Sequence, residues 1–160
     1  MWVGPCPTVW ARLMTRAARS AGLVPIGSSG PACNALGLAA RIGSTTRARL
    51  CLVHVRIWDP LPRGSGRFYA ETSEEATAVL EKALVQVWER EREASGVVVD
   101  AERSLTAAAI VAEASAWGAD VIVMAQRPRR ALSLRLWSKV CRRVVRQAPC
   151  PVLLAYEAGA

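Results

Sequence analysis

The chain has 160 residues, 52 % of them hydrophobic, and a formal net charge of +8. That length suits one domain with its own core, and no apolar run approaches the ~18 residues of a membrane span. Met1 to Gly22 lacks the continuous apolar segment of a secretory leader, so a cytoplasmic protein is expected.

Residues 1–21 form an extension. Trp10, Leu13, Met14, Ala17, Ala18 and Ala21 recur at helical spacing with Arg12, Arg16 and Arg19 opposite, Thr8 placed as a cap and Gly22 as a stop. A basic amphipathic helix can dock on a partner or a membrane surface. Three plainer readings compete with that: docking on its own domain, a disordered tail, or upstream sequence with Met14 as the true start. The domain proper is read as residues 22–160. Leu23-Val24-Pro25-Ile26 is the first strand, although a proline argues against a central position. Gly27-Ser28-Ser29-Gly30 reads as a strand-to-helix turn, because two glycines alone are weak evidence for a phosphate cradle and no GxGxxG or P-loop lysine pattern is present. A helix follows from Pro31 to about Ile42.

Leu50 to Val55 is the second strand and carries His54, the only histidine in the chain. A lone strand histidine is read as structural, satisfied by the backbone. Its solitude also removes most histidine-based catalytic and metal designs. Asp59 to Ala70, with Pro60, Pro62, Gly64 and Gly66, is expected to be a surface loop. Thr72 and Glu75 have the spacing of a capping box. The helix they open is expected to reach about Ala94, with Ala76, Leu80, Ala83, Leu84, Val87 and Trp88 inward and Glu81, Glu89 and Glu91 solvated. Gly96 is read as its stop and Val97-Val98-Val99 as the third strand. Ser104 or Thr106 is expected to cap the next helix, which buries Ile110, Val111 and Ala114 and stops at Gly118.

Val121-Ile122-Val123-Met124 is a short apolar run suited to a strand buried on both faces. After a loop containing Arg127, Pro128, Arg129 and Arg130, a helical pattern begins at Leu134. Trp137, Val140, Cys141, Val144, Val145 and Ala148 share one face, and Arg135, Lys139, Arg142 and Arg146 another. Pro149 and Pro151 end that helix and release a last strand, Val152 to Tyr156. Strands alternating with helices imply a single α/β domain with a doubly wound, five-stranded parallel sheet and helices on both faces. The five cysteines are scattered, form no disulfide framework or metal-ligand spacing, and are read as free thiols. There is no acid before Asp59 and none between Asp120 and Glu157, so the charge is segregated. Apart from Lys82 and Lys139 every cation is arginine, a bias that weakens any inference of nucleic-acid binding.

Gln147-Ala148-Pro149-Cys150-Pro151-Val152, Ala119-Asp120-Val121-Ile122-Val123-Met124 and Val24-Pro25-Ile26-Gly27-Ser28-Ser29 together resemble the universal stress protein family, as does the apolar strand ending in His54-Val55. The resemblance implies the strand order 3-2-1-4-5 of a Rossmann-like sheet. In such a sheet ligands lie at the carboxyl ends of the first and fourth strands, where the winding reverses. Nucleotide-binding members read Gly-x-x-Gly after strand four, then nine residues, then Gly and Ser or Thr. Counted onto this chain, those places are Ala125, Pro128, Ser138 and Lys139, and none keeps the family residue. Pro128 has no N–H to donate. Gly27 stands where the family has the Asp that contacts adenosine.

The main expectation is therefore a non-catalytic, dimeric, stress-response module of the A type, with a degenerate site and no cofactor. No nucleophile–base pair, metal set or carboxylate dyad can be assembled from the sequence. The alternative is a sensor of adenine nucleotide or another anion, weakly binding ATP through Arg127, Arg129, Arg130 and Lys139. A nucleic-acid accessory role rests on charge alone and is disfavoured. The expected partner is a second copy, joined through the unguarded edge strand Val152, Leu153, Leu154, Ala155 and Tyr156, with an unidentified protein partner left open.

Overall fold

In this computed structural model, the described residues are 20–27, 32–46, 48–88, 94–126 and 132–156. The elements in chain order are β1 (Ala21–Ile26), α1 (Ala32–Thr46), β2 (Arg49–Pro60), β3 (Arg67–Tyr69), α2 (Ser73–Trp88), β4 (Ala94–Glu102), a 3-10 turn (Arg103–Leu105), α3 (Thr106–Trp117), β5 (Val121–Gln126), α4 (Leu132–Gln147) and β6 (Val152–Tyr156). The parallel strands lie in the order β4-β2-β1-β5-β6. This is the 3-2-1-4-5 arrangement expected for five strands.

The sixth strand is β3, antiparallel to the end of β2 through Trp58↔Tyr69, Asp59↔Phe68 and Pro60↔Arg67. The stretch read as loop from Asp59 to Ala70 is thus mostly a hairpin. Asp59 and Pro60 finish β2, and a tight turn closes with the Leu61 N–H on the Gly66 carbonyl at 3.1 Å. Gly64 makes that turn with φ +104°, a conformation that side chains resist. β2 therefore meets three strands, with β4 along one edge and β1 then β3 along the other.

Burial on both faces explains why these strands read as unbroken apolar runs. Successive residues alternate faces. Leu23, Cys51, Val53, Val55, Ile122 and Met124 pack with Ile110 and Ala114 of α3 and Cys141 and Val144 of α4. Val24, Ile26, Leu50, Leu52 and Val123 pack on the other side with Leu36 and Ala39 of α1 and Leu80, Ala83 and Val87 of α2. Leu23, Val24, Leu52 and Ile122 are wholly enclosed, and each such side chain contributes roughly 1.5–3 kcal/mol.

Several local expectations change. Ala21 and Gly22 belong to β1 and do not end a preceding helix; residues 1–19 of the expected extension lie outside the described residues. Gly96 is not a helix stop. It sits inside β4 opposite Leu52, and a Cβ there would stand 2.6 Å from Leu80 Cδ1. Trp88 and Val145, placed inward by spacing, are about half exposed. Each is at the rim of its apolar stripe, where one residue of helix turns a side chain by ~100°. The capping box forms as expected: Thr72 N–H donates to Glu75 Oε2 at 2.8 Å and Glu75 N–H to Thr72 Oγ1 at 3.2 Å. Neither Ser104 nor Thr106 caps α3. The 3-10 turn intervenes, Leu105 takes the cap position without a side-chain bond, and the Thr106 hydroxyl donates to the Arg103 carbonyl. Gly118 does stop α3, in the left-handed region at φ 66°.

Pro25 occupies a central strand after all, and the pairing pattern explains how. β1 pairs with β2 from Ala21↔Arg49 through Ile26↔His54, but with β5 only at Gly22↔Val121 and Leu23↔Ile122. The donor that proline lacks falls where the β5 ladder has already ended. The sheet is tied shut at its other end, where Ala21 N–H donates to Asp120 Oδ2 at 3.0 Å and Asp120 N–H to the Ala21 carbonyl at 2.8 Å. It therefore opens between β1 and β5 towards their carboxyl ends.

Candidate functional site

That opening is where the winding reverses, so the ends of β1 and β5 form the candidate site. Counting on from Leu23↔Ile122, Ile26 is level with Ala125 and Gly27 with Gln126. Gly27 is exposed, and a Cβ built on it would meet nothing within 4 Å. No steric demand holds a glycine there. The position offers only backbone and open space.

Ala125 lies across the opening and is buried at 8 % exposure. Cys141 of α4 sits beneath it, its thiol 3.9 Å from the Ala125 carbonyl oxygen. Burial pushes the Cys141 thiol up to about 11, so it is a packing group at neutral pH and not a nucleophile. Lys139 is exposed on α4, the helix that also contains Ser138. Of the other expected site residues, Arg127, Pro128 and Arg129 lie outside the described residues, as does the side chain of Ser138. Gly27 and Ala125 thus lie at the carboxyl ends of the two central strands, with Lys139 on the helix after β5.

On the other side of β1, one contact was not foreseen. His54, opposite Ile26 in the β1–β2 register, is 2 % exposed. Its Nδ1 lies 3.1 Å from the Ile26 carbonyl and its Nε2 2.7 Å from Glu71 Oε1. A carbonyl oxygen only accepts, so Nδ1 donates to the residue immediately before Gly27. The structural reading of His54 holds for its backbone bond, while Glu71 is a second partner that sequence reasoning missed. The available signal was an acidic residue between the stretch read as loop, which ended at Ala70, and the Thr72 cap.

Beyond His54, the same face of β2 carries Arg56 and Trp58. The Arg56 guanidinium stacks over the Tyr69 ring at 4.3 Å and binds Asp100, and Arg67 stacks over Trp58 at 4.4 Å. Asp59 and Arg103 make a further ion pair at 2.6 Å. Bonded to Arg103, the Asp59 carboxyl is held below the usual carboxylate range. These contacts stiffen the hairpin beside the opening.

The model of the universal stress protein family matches residues 23–155. No curated protein matches the chain. Among solved structures, a universal stress protein family member from Burkholderia pseudomallei is 26 % identical, with 86 % of this chain and 96 % of that one covered and a TM-score of 0.63. The universal stress protein of Archaeoglobus fulgidus in complex with dAMP is 24 % identical, covering 84 % and 96 %, with a TM-score of 0.64. A universal stress protein family protein of Arabidopsis thaliana with AMP bound is 15 % identical, covering 88 % and 93 %, with a TM-score of 0.61.

Proposed function

Since this chain belongs to the universal stress protein family, we propose that it is a non-catalytic, dimeric stress-response module whose crevice binds ATP poorly. The observation that carries this reading is Gly27, exposed at the end of β1 with no side chain to hold an adenosine group. Relatives of the same fold have been solved with dAMP and AMP, so the fold itself accepts adenine nucleotides, and the reading that this chain binds them poorly rests on its substitutions. Pro128 and Lys139 stand where the family has a backbone donor and a hydroxyl donor. Hydrogen bonds to charged groups contribute about 1.5–3 kcal/mol each, so losing two weakens binding about a hundredfold to ten-thousandfold.

The dimer reading rests on β6, which ends the sheet order with Leu153 41 % exposed. No charged residue or proline interrupts Val152 to Tyr156, and an unguarded edge invites antiparallel pairing with a second copy. A second reading, an anion sensor using Arg127, Arg129, Arg130 and Lys139, is favoured only by the exposed Lys139 on the helix after β5.

Titration calorimetry at moderate salt separates them. The module reading expects weak heats that do not distinguish ATP, GTP and pyrophosphate and that vanish with added salt. Saturable, adenine-selective binding in the micromolar range would sink it.

A further inference from the structure

His54 sits between two oxygens, and counting protons there leads to a consequence independent of any ligand at Gly27. Nδ1 faces the Ile26 carbonyl at 3.1 Å and Nε2 faces Glu71 Oε1 at 2.7 Å. A neutral imidazole has a single N–H, and the carbonyl, which has no proton to give, claims it at Nδ1. The bare Nε2 lone pair would then point at an anionic oxygen at hydrogen-bonding distance. Exposures of 2 % for the histidine and 14 % for the glutamate side chain leave little water to relieve that repulsion.

We infer that His54 and Glu71 together hold one proton more than a neutral imidazole and a carboxylate would, between Nε2 and Oε1, and that this proton fastens the end of β1 to the segment following β3. The contact bridges three pieces of chain. β2 supplies the ring, β1 supplies the carbonyl preceding Gly27, and Glu71 comes from the short link between β3 and the capping box at Thr72. That link is also held by the Ala70 N–H on the Ile57 carbonyl at 3.1 Å.

The surroundings favour keeping the proton local. From β4, Val98 is the register partner of His54 and is apolar. Charged groups further along the hairpin and β4 form their own set: Arg56 grips Asp100, Tyr69 donates to Asp100, and Arg67 stacks on Trp58. While the proton is held, the contact is attractive; without it the Nε2 lone pair would face the carboxylate and nothing would tie Glu71 to the end of β1. The shared proton is thus a latch on the end of β1.

Because the chain has one histidine, nitrogen NMR of the full chain labelled at histidine reads this site without assignment ambiguity. The expected result at neutral pH is a ring protonated at both nitrogens beside an ionised Glu71; a ring protonated at Nδ1 beside a protonated Glu71 also satisfies the count. A neutral ring beside an ionised Glu71 carboxylate, read by carbon NMR, overturns it. In Glu71→Gln the amide can donate to Nε2, so the ring should be neutral with its proton at Nδ1. A doubly protonated ring persisting in that variant overturns the pairing. If the variant does not fold, the wild-type spectrum still decides.

Discussion

Arg56 on β2 and Asp100 on β4 stand opposite each other in the sheet, and the guanidinium holds both carboxylate oxygens, Nε to Oδ1 at 2.7 Å and Nη2 to Oδ2 at 2.6 Å. The Tyr69 hydroxyl donates to the same carboxylate at 3.3 Å. These bonds, Arg56 first, keep the Asp100 carboxyl below its ordinary range. A depressed carboxylate contributes stability above its unfolded value and loses it as pH falls through the folded one. Asp100→Asn should therefore leave thermal stability near neutrality within about 2–4 °C, since exposed ion pairs contribute roughly 0–1 kcal/mol. It should flatten the acid limb of a melting-temperature profile. An acid limb identical to wild type would show that the pair contributes nothing.

Gly96→Ala tests the packing of α2 on β4. The new Cβ would meet Leu80 Cδ1 at 2.6 Å, Cγ at 3.0 Å and Cδ2 at 3.1 Å, so the whole isobutyl group must move. Overpacking of this kind costs about 1–3 kcal/mol, which outweighs the ~0.4–1 kcal/mol gained from a stiffer unfolded chain. Urea titration should show a lower midpoint with an unchanged slope, and in a Leu80→Ala background Gly96→Ala should cost less than it does in the wild type.

Leu153→Lys is the cleanest probe of the proposed dimer. Val152 and Leu154 are packed against the core, so charging them would unsettle the fold itself, whereas Leu153 is exposed. Sedimentation at tens of micromolar, a range suited to ordinary weak interfaces, should shift from dimer to monomer with the melting temperature of the monomer unchanged. A monomeric wild type would remove the premise.

Gly27→Asp should give back part of an adenosine site. The position is open and free of positive φ, so the fold should tolerate it. One hydrogen bond to a charged group, about 1.5–3 kcal/mol, corresponds to roughly tenfold to a hundredfold tighter adenosine binding by calorimetry. Pyrophosphate affinity should not rise. No gain for adenosine would mean that this end of β1 does not face the ligand.

Cysteine alkylation in the folded protein should be ordered by burial. Cys51 and Cys141 are buried, and desolvation raises both thiols, Cys141 to about 11. Cys150 is only partly covered and is raised by desolvation too. Site-resolved mass spectrometry at neutral pH should find Cys150 modified well before Cys141. Equal rates would indicate opening of α4 from the sheet.

The parallel core was legible because each crossover leaves a signature: an apolar run buried on both faces, then a helix period, as in Val121–Met124 followed by Cys141 and Val144. β3 left none. Three residues between a Pro/Gly turn and a helix cap carry no period, and Phe68 is 61 % exposed, so no hydrophobic pattern marks the strand. The same blind spot hid Glu71. Gly96 misled because glycine at a helix end and glycine beneath a close-packed leucine look alike in one dimension. At the candidate site, Gly27 and Ala125 came from the family resemblance alone, since a missing side chain produces no signal of its own.

The bond between Ala21 and Asp120 joins residues 99 positions apart, whereas the Ile26–His54 contact spans 28. Closing longer segments costs more entropy, and pairings of that kind form late. During synthesis, β1 can find β2 soon after both exist, but its other edge stays bare until the chain has grown past Asp120. For that interval the emerging protein presents an unpaired strand of buried-type residues, Leu23 and Val24 among them, the kind of edge that chaperones screen and aggregates recruit. The cleft between β1 and β5 thus takes shape only after most of the chain has been made.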